Sequence, residues 1–140
     1  MAETLGIRFH HLGLLTDQPG AAATALTLLG FGVAEPVFDP LQGVELRMAE
    51  GHNDFARIEI ITPGSGDSAL SKLVKRRGDY MYHSCFTVKK VSATLAALAD
   101  LGLRVVTVSE PKPAVLFGGK LVSFHSVEGL GLVEFIEDDA

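Results

Sequence analysis

Tryptophan is absent from this 140-residue chain, aromatic residues make up only 7% of it, and cysteine occurs once, as Cys85. A lone cysteine excludes an intrachain disulfide framework and a zinc site built on several thiolates. Long apolar runs are missing too, and no stretch approaches the roughly 20 residues that span a bilayer as a helix. The amino-terminal Met1-Ala-Glu-Thr-Leu-Gly-Ile-Arg-Phe9 lacks the basic-then-apolar order of a secretory signal. A cytoplasmic protein without a membrane partner is therefore expected. Basic side chains are in the minority, 12 against 17 acidic, giving a formal charge of −5. A general nucleic-acid binder needs a net basic surface, so no nucleic-acid partner is expected.

What is present is an ordinary globular composition, 47% apolar and 21% charged, which excludes a wholly disordered chain. The length suits one compact domain. Within it the chain repeats itself. Phe9-His10-His11-Leu12-Gly13-Leu14-Leu15 and Met81-Tyr82-His83-Ser84-Cys85-Phe86-Thr87-Val88 are short apolar runs with a His near the start, and both read as buried strands. Each passes into an Ala/Leu-rich helical stretch, Ala21 to Leu29 and Val91 to Leu101. In the second, Val91, Leu95, Leu98 and Leu101 recur at helical spacing. Pro19 fits the first turn of helix one, and Gly30 and Gly102 fit the carboxyl-terminal caps.

A strand follows each helix (Gly32 to Phe38; Arg104 to Val108), then a Pro-containing turn, a second strand and a third. The third strands are Ala56-Arg57-Ile58-Glu59-Ile60-Ile61 and Gly131-Leu132-Val133-Glu134-Phe135-Ile136, each with a carboxylate amid apolar residues. Glu59 follows His11 by 48 residues, and Glu134 follows His83 by 51. The expected organisation is a single α+β domain, residues 1–140, of two tandem βαβββ modules. Module one covers about 7–63 and module two about 80–138. The linker between them, 64–79, carries a short helix capped by Asp67 or Ser68 and reaching about Arg76.

An acidic side chain seldom sits in an apolar strand without a partner. One such Glu is ordinary; the same Glu twice, each with an equally placed His, points to a shared purpose. Two imidazoles and two carboxylates, His11, Glu59, His83 and Glu134, form an N₂O₂ set suited to a six-coordinate divalent transition metal with two open positions. Without a thiolate, a closed structural zinc site is not expected. An open position lets a carbonyl oxygen replace water, so that the cation acts as a Lewis acid while a proton leaves the adjacent carbon. Glu134 or Glu45 is the candidate for moving that proton.

These motifs resemble the vicinal oxygen chelate superfamily, and more narrowly its branch of methylmalonyl-CoA epimerase and glyoxalase I. The matching pieces are Phe9-His10-His11-Leu12-Gly13, Asp39-Pro40-Leu41-Gln42-Gly43-Val44, Ile58-Glu59-Ile60-Ile61-Thr62-Pro63, Tyr82-His83-Ser84-Cys85-Phe86, Gly118-Gly119-Lys120-Leu121-Val122-Ser123-Phe124-His125 and Leu132-Val133-Glu134-Phe135. The resemblance implies a U-shaped, mostly antiparallel sheet around a metal site, often in a homodimer. It places the metal ligands at His11, Glu59, His83 and Glu134. The expected cofactor is one divalent ion per chain, with Ni, Co, Zn, Mn and Fe all compatible.

Glu59, where epimerases commonly have Gln, leans toward glyoxalase I; the Gln-Gly-Val stretch and Pro63 lean toward epimerase. Some epimerases carry a catalytic Glu a few residues after Gln-Gly-Val. Here Glu45 follows at once, while Leu46 aligns without a gap, and a slip of one residue turns a strand side chain to the other face.

The expected function is proton abstraction alpha to a carbonyl or thioester through a metal-stabilised enolate, as in methylmalonyl-CoA epimerase. The alternative enzyme is glyoxalase I, acting on a glutathione hemithioacetal. A metal-free drug-binding protein is the alternative from another class. An iron-dependent ring-cleaving dioxygenase is disfavoured by the second acidic ligand.

Among the other residues, His10 points away from His11 on a strand, and His52 falls in a turn. His125 is either a group lining the ligand cavity or a structural one. Gly118-Gly119-Lys120 suits an anion-contacting loop or a plain hairpin turn. Lys72, Lys75, Arg76 and Arg77 form the one basic cluster, a solvated helix face or a phosphate patch. Cys85 reads as a small hydrophobe.

Overall fold

The computed structural model describes residues 2–53 and 56–139, with Ala2 placed by its backbone alone. After a four-residue helix α1 (Ala2–Leu5), the first module runs β1 (Arg8–Leu15), α2 (Pro19–Leu28), β2 (Gly32–Val33), β3 (Val37–Asp39), β4 (Val44–Glu50) and β5 (Arg57–Pro63). Helix α3 (Ala69–Arg77) leads to β6 (Tyr80–Val88), α4 (Val91–Asp100), β7 (Val105–Pro113), β8 (Leu121–Val127) and β9 (Gly131–Glu137), with one 3-10 turn at Val115–Phe117. Two compact units result, one His11–Tyr82, the other made of the residues up to His10 and from His83 onward. Among the described residues no helix is long and apolar enough to cross a membrane.

In the His11–Tyr82 unit the strand order is β2-β4-β5-β1, with β3 also on β4. Strands β1 and β5 are parallel, and β4 is antiparallel to its neighbours. The expected strand from Gly32 to Phe38 is thus two short ones. Between them Ala34, Glu35 and Pro36 leave the ladder, where Pro36 has no N–H to donate. Ala34 keeps its backbone bond to Met48 and also accepts from Arg47 Nε at 3.1 Å. One side of this sheet packs Ala49 and Ile60 with Leu14 and Ile58 against Leu26 of α2.

The other unit has the order β6-β9-β8-β7, with β6 parallel to β9 and the rest antiparallel. Val88, Val127, Val133 and Phe135 pack beneath Val91, Leu95 and Leu98 of α4. The expected fourth member of that helical face, Leu101, is instead 71% exposed, because it is the cap beyond the last turn. Thr94 takes the buried place on the helix, its hydroxyl donating to Lys90 O at 3.2 Å. Strand β7 also outruns its expected end at Val108. It continues through Pro111 to Pro113, with register shifts after Thr107 and Ser109. Proline is tolerated there because, among the described residues, β7 pairs on β8 and on no second strand.

The repeat extends to the caps. Gly30 (φ 99°) donates to Thr27 O and Phe31 to Leu26 O; Gly102 (φ 83°) donates to Ala99 O and Leu103 to Leu98 O. Both are Schellman endings, in which the left-handed residue is glycine because it carries no Cβ. The linker helix forms as its sequence implies. Of the two candidate caps it is Ser68 whose hydroxyl accepts from Ser71 N at 3.0 Å, and Gly78 closes the helix.

Candidate functional site: two histidine–glutamate pairs

The parallel pairing of β1 with β5 sets Gly13 beside Glu59. His11 lies two residues before Gly13, so it shares Glu59's face of the sheet. The pairing of β6 with β9 sets Cys85 beside Glu134, and His83 lies two residues before Cys85. The two modules therefore present imidazole and carboxylate at the same register offset. His11 Nε2 is 3.5 Å from Glu59 Oε1, and His83 Nε2 is 3.1 Å from Glu134 Oε1.

All four side chains are buried, with Glu59 only 3% and Glu134 only 2% exposed. A buried carboxylate is costly unless something compensates its charge. In each pair the atoms that approach are a ring nitrogen and a carboxylate oxygen, both metal-ligating types. Two donors at right angles on a cation, each about 2.1 Å from it, would stand about 3 Å apart, close to the separations found. Each pair thus fits half of an N/O donor set.

On the far side of each Glu the antiparallel neighbours are Met48 on β4 and Phe124 on β8. Phe124 stands edge-on to the His83 ring, centroids 5.2 Å apart, which limits that imidazole's rotation. Sequence reading passed over this residue. Its facing depends on the β8–β9 register, which pairs Phe124 with Glu134 and is not written in β8 alone.

Glu45 is placed differently. The unbroken β4–β5 register pairs Glu45 with Thr62, and Leu46 with Ile61. Leu46 and Ile61 lie on Glu59's face, and Glu45 lies on the opposite, helix-bearing face. Register likewise sends His125 to the face away from Glu134, since it pairs with Val133. His125 is buried between Ser123 Oγ (2.8 Å from Nε2) and Thr107 Oγ1 (3.1 Å from Nδ1), against the Phe135 ring. Burial lowers its pKa below the ordinary 6.5, and the negative charge of Glu110 opposes that only in part. It is a structural group of the β7–β8 hairpin.

His10 is half-buried and edge-on to Phe117 at 5.2 Å, and His52 is exposed. In the Asp39-Pro-Leu-Gln-Gly motif, the Asp39 carboxylate is buried. It accepts from Leu41 N at 2.9 Å and from Gln42 Nε2 at 2.9 Å, which makes the motif a clasped turn. Gly118 and Gly119 make a left-handed turn, with Gly119 N donating to Ala114 O and Lys120 Nζ held by Asp138 at 3.0 Å. Cys85 is buried with Ala114, Val122 and Ile136.

Repeated βαβββ units, each with one buried His–Glu pair, define a class, and comparison with known proteins agrees. The chain belongs to the Glyoxalase/Bleomycin resistance protein/Dioxygenase superfamily, whose family model matches residues 10–124. That span holds His11, Glu59 and His83 and stops short of Glu134. Within the family the chain is similar to the ethylmalonyl-CoA/methylmalonyl-CoA epimerase of Cereibacter sphaeroides. Identity is 30% over 107 residues, covering 75% of this chain and 78% of that one.

Solved structures that share its fold include two methylmalonyl-CoA epimerases. Methylmalonyl-CoA epimerase from Mycobacterium tuberculosis superposes with TM-score 0.73 at 19% identity, covering 92% of this chain and 86% of that one. A variant of Streptomyces coelicolor methylmalonyl-CoA epimerase, in complex with 2-nitronate-propionyl-CoA, superposes with TM-score 0.69 at 24% identity, covering 95% and 98%.

Proposed function

We propose that this chain is a divalent-metal-dependent epimerase that moves the proton alpha to the carbonyl of an acyl-CoA thioester of the methylmalonyl type. The observation that carries the proposal is the buried His–Glu pair, found in both modules at one register offset. The similarity to an ethylmalonyl-CoA/methylmalonyl-CoA epimerase supports the choice of substrate. We assign the ion to His11 with Glu59 and His83 with Glu134, because each pair offers a ring nitrogen and a carboxylate oxygen, both metal-ligating types. A bound divalent ion would supply Lewis acidity at the thioester oxygen, next to the carbon that loses its proton.

The chain's own side chains do the rest. His11 and His83 offer Nε2, and Phe124 steadies the His83 ring. Burial among apolar strands keeps bulk water from the developing charge. Glu134 is assigned the movement of the α-carbon proton, because Glu45 lies on the helix-bearing face. A homodimer is proposed as the working assembly.

The test is exchange of the α-hydrogen of methylmalonyl-CoA in deuterium oxide, with metal analysis of the purified protein. Expected are exchange by the wild type, its loss by about a hundredfold or more in Glu134→Gln, and near wild-type exchange in Glu45→Gln. Glu59 favours glyoxalase I as the second reading. Turnover of a glutathione hemithioacetal without α-exchange of the thioester would select it. Metal-free protein indifferent to Glu59→Ala would leave only a binding role.

A further inference from the structure

The reading as an acyl-CoA epimerase leaves the phosphates of the substrate's nucleotide end without a place. Helix α3 carries Lys72, Lys75, Arg76 and Arg77, four of the chain's twelve basic residues, in a protein of net charge −5. Its inward side is set by buried Ser71 and Val74, and no carboxylate lies within the helix. Lys75 and Arg76 follow Lys72 by three and four residues, so both neighbour it on the exposed face. Arg77 is turned aside, with its guanidinium stacked 4.5 Å over the Tyr80 ring. None of the three remaining cations is engaged by a carboxylate among the described residues, whereas Arg57, Lys90 and Lys120 each have one. Like charges at this spacing oppose helix formation. The helix dipole rewards cations in the last turn, and Lys72 lies outside it.

We infer that the solvent-facing side of α3, Lys72, Lys75 and Arg76, binds the phosphate groups of the nucleotide portion of the acyl-CoA substrate. This rests on the function proposed above. The ligand class follows from charge complementarity: a multiply charged phosphate group suits a cluster of point charges and one planar guanidinium. The same thioester on a pantetheine carrier lacks those phosphates and has nothing for α3 to hold.

The experiment compares wild type with the triple variant Lys72→Gln, Lys75→Gln, Arg76→Gln, using methylmalonyl-CoA and methylmalonyl-pantetheine. In the variant, KM for the CoA thioester should rise about tenfold with kcat unchanged, the combined effect of three exposed charge contacts. Added salt should raise the wild-type KM and leave the variant's nearly constant. KM for the pantetheine thioester should be the same in both proteins. Equal KM values for the CoA thioester, or equal losses on both substrates, would overturn the assignment.

Calorimetric titration with adenosine 3′,5′-bisphosphate gives an answer that does not depend on turnover. Binding by the wild type and its loss in the variant support the α3 site even if neither thioester reacts, in which case the activity proposal alone fails. Absence of nucleotide binding by the wild type removes the α3 site whatever the activity.

Discussion

Replacing Glu59 by Gln separates a metal centre from a structural ion pair, because the two assign opposite signs to its effect on the metal-free protein. Glu59 is 3% exposed and faces His11 Nε2 at 3.5 Å. If the carboxylate serves a cation, then in chelator-treated protein it is a buried acidic group without the ion it serves. Glutamine keeps the shape and removes that acidic group, so the melting temperature of the metal-free variant should equal or exceed the wild type's.

Adding cobalt(II) at about a hundred times its dissociation constant should stabilise the wild type by about 2.7 kcal/mol. For a chain of this length that is a rise of roughly 8 °C. A hundredfold weaker site in Glu59→Gln would retain only about 0.4 kcal/mol at the same concentration, or roughly 1 °C. Calorimetric melting with and without the ion, alongside the visible absorbance of bound cobalt, measures both effects. The reasoning is refuted if the metal-free variant is less stable by about 3–5 kcal/mol, the expected cost of breaking a structural buried pair. It is equally refuted if cobalt(II) leaves the wild-type melting temperature unmoved.

Two further outcomes follow from groups outside the pairs. His125 is held neutral by burial, with its folded pKa below 6.5. As pH falls below 6.5 the unfolded chain therefore gains a proton that the folded chain refuses, and stability drops until the folded pKa is reached. The urea midpoint should fall more between pH 7.5 and 5.5 in wild type than in His125→Gln; equal falls would remove this histidine from the account. Gly102→Ala should cost about 1–2 kcal/mol through left-handed backbone strain alone, since a Cβ there meets nothing within 4 Å. Gly30→Ala should cost the same strain plus a small displacement of exposed His52, whose Nε2 lies 2.9 Å from the added carbon. Chemical denaturation of Gly30→Ala with and without His52→Ala measures that increment, and a difference above about 1 kcal/mol contradicts it.

Features that local pattern dictates were legible before any coordinates. The two Ala/Leu helices, Pro19 at a first helical position, a cap at Asp67 or Ser68 and the paired glycine endings each depend on residues within a turn of one another. The two His–Glu pairs were legible for a different reason, the duplication itself, which singles out His and Glu from sequence that otherwise looks like core. What failed to show depends on pairing. Glu45 and Leu46 can be told apart only by knowing that β4 meets β5 with Leu46 opposite Ile61. The facing of His125 depends on the β8–β9 register in the same way. The length of β7 was hidden because proline reads as a strand breaker until the strand is known to pair, among the described residues, on β8 and on no second strand. The break near Pro36 and the exposure of Leu101 are end effects, where periodicity is counted over too few residues to decide.

The parallel pairings β1–β5 and β6–β9 carry a consequence for biogenesis. Each imidazole finds its carboxylate only after some 50 intervening residues have formed a helix and the remaining strands, and closure over such separations comes late in folding. A nascent chain released before its last strand would hold His83 without Glu134, and hence a bare imidazole in place of a chelating couple. If the proposed ion is bound, its capture would mark finished molecules and leave truncated or half-assembled ones unloaded.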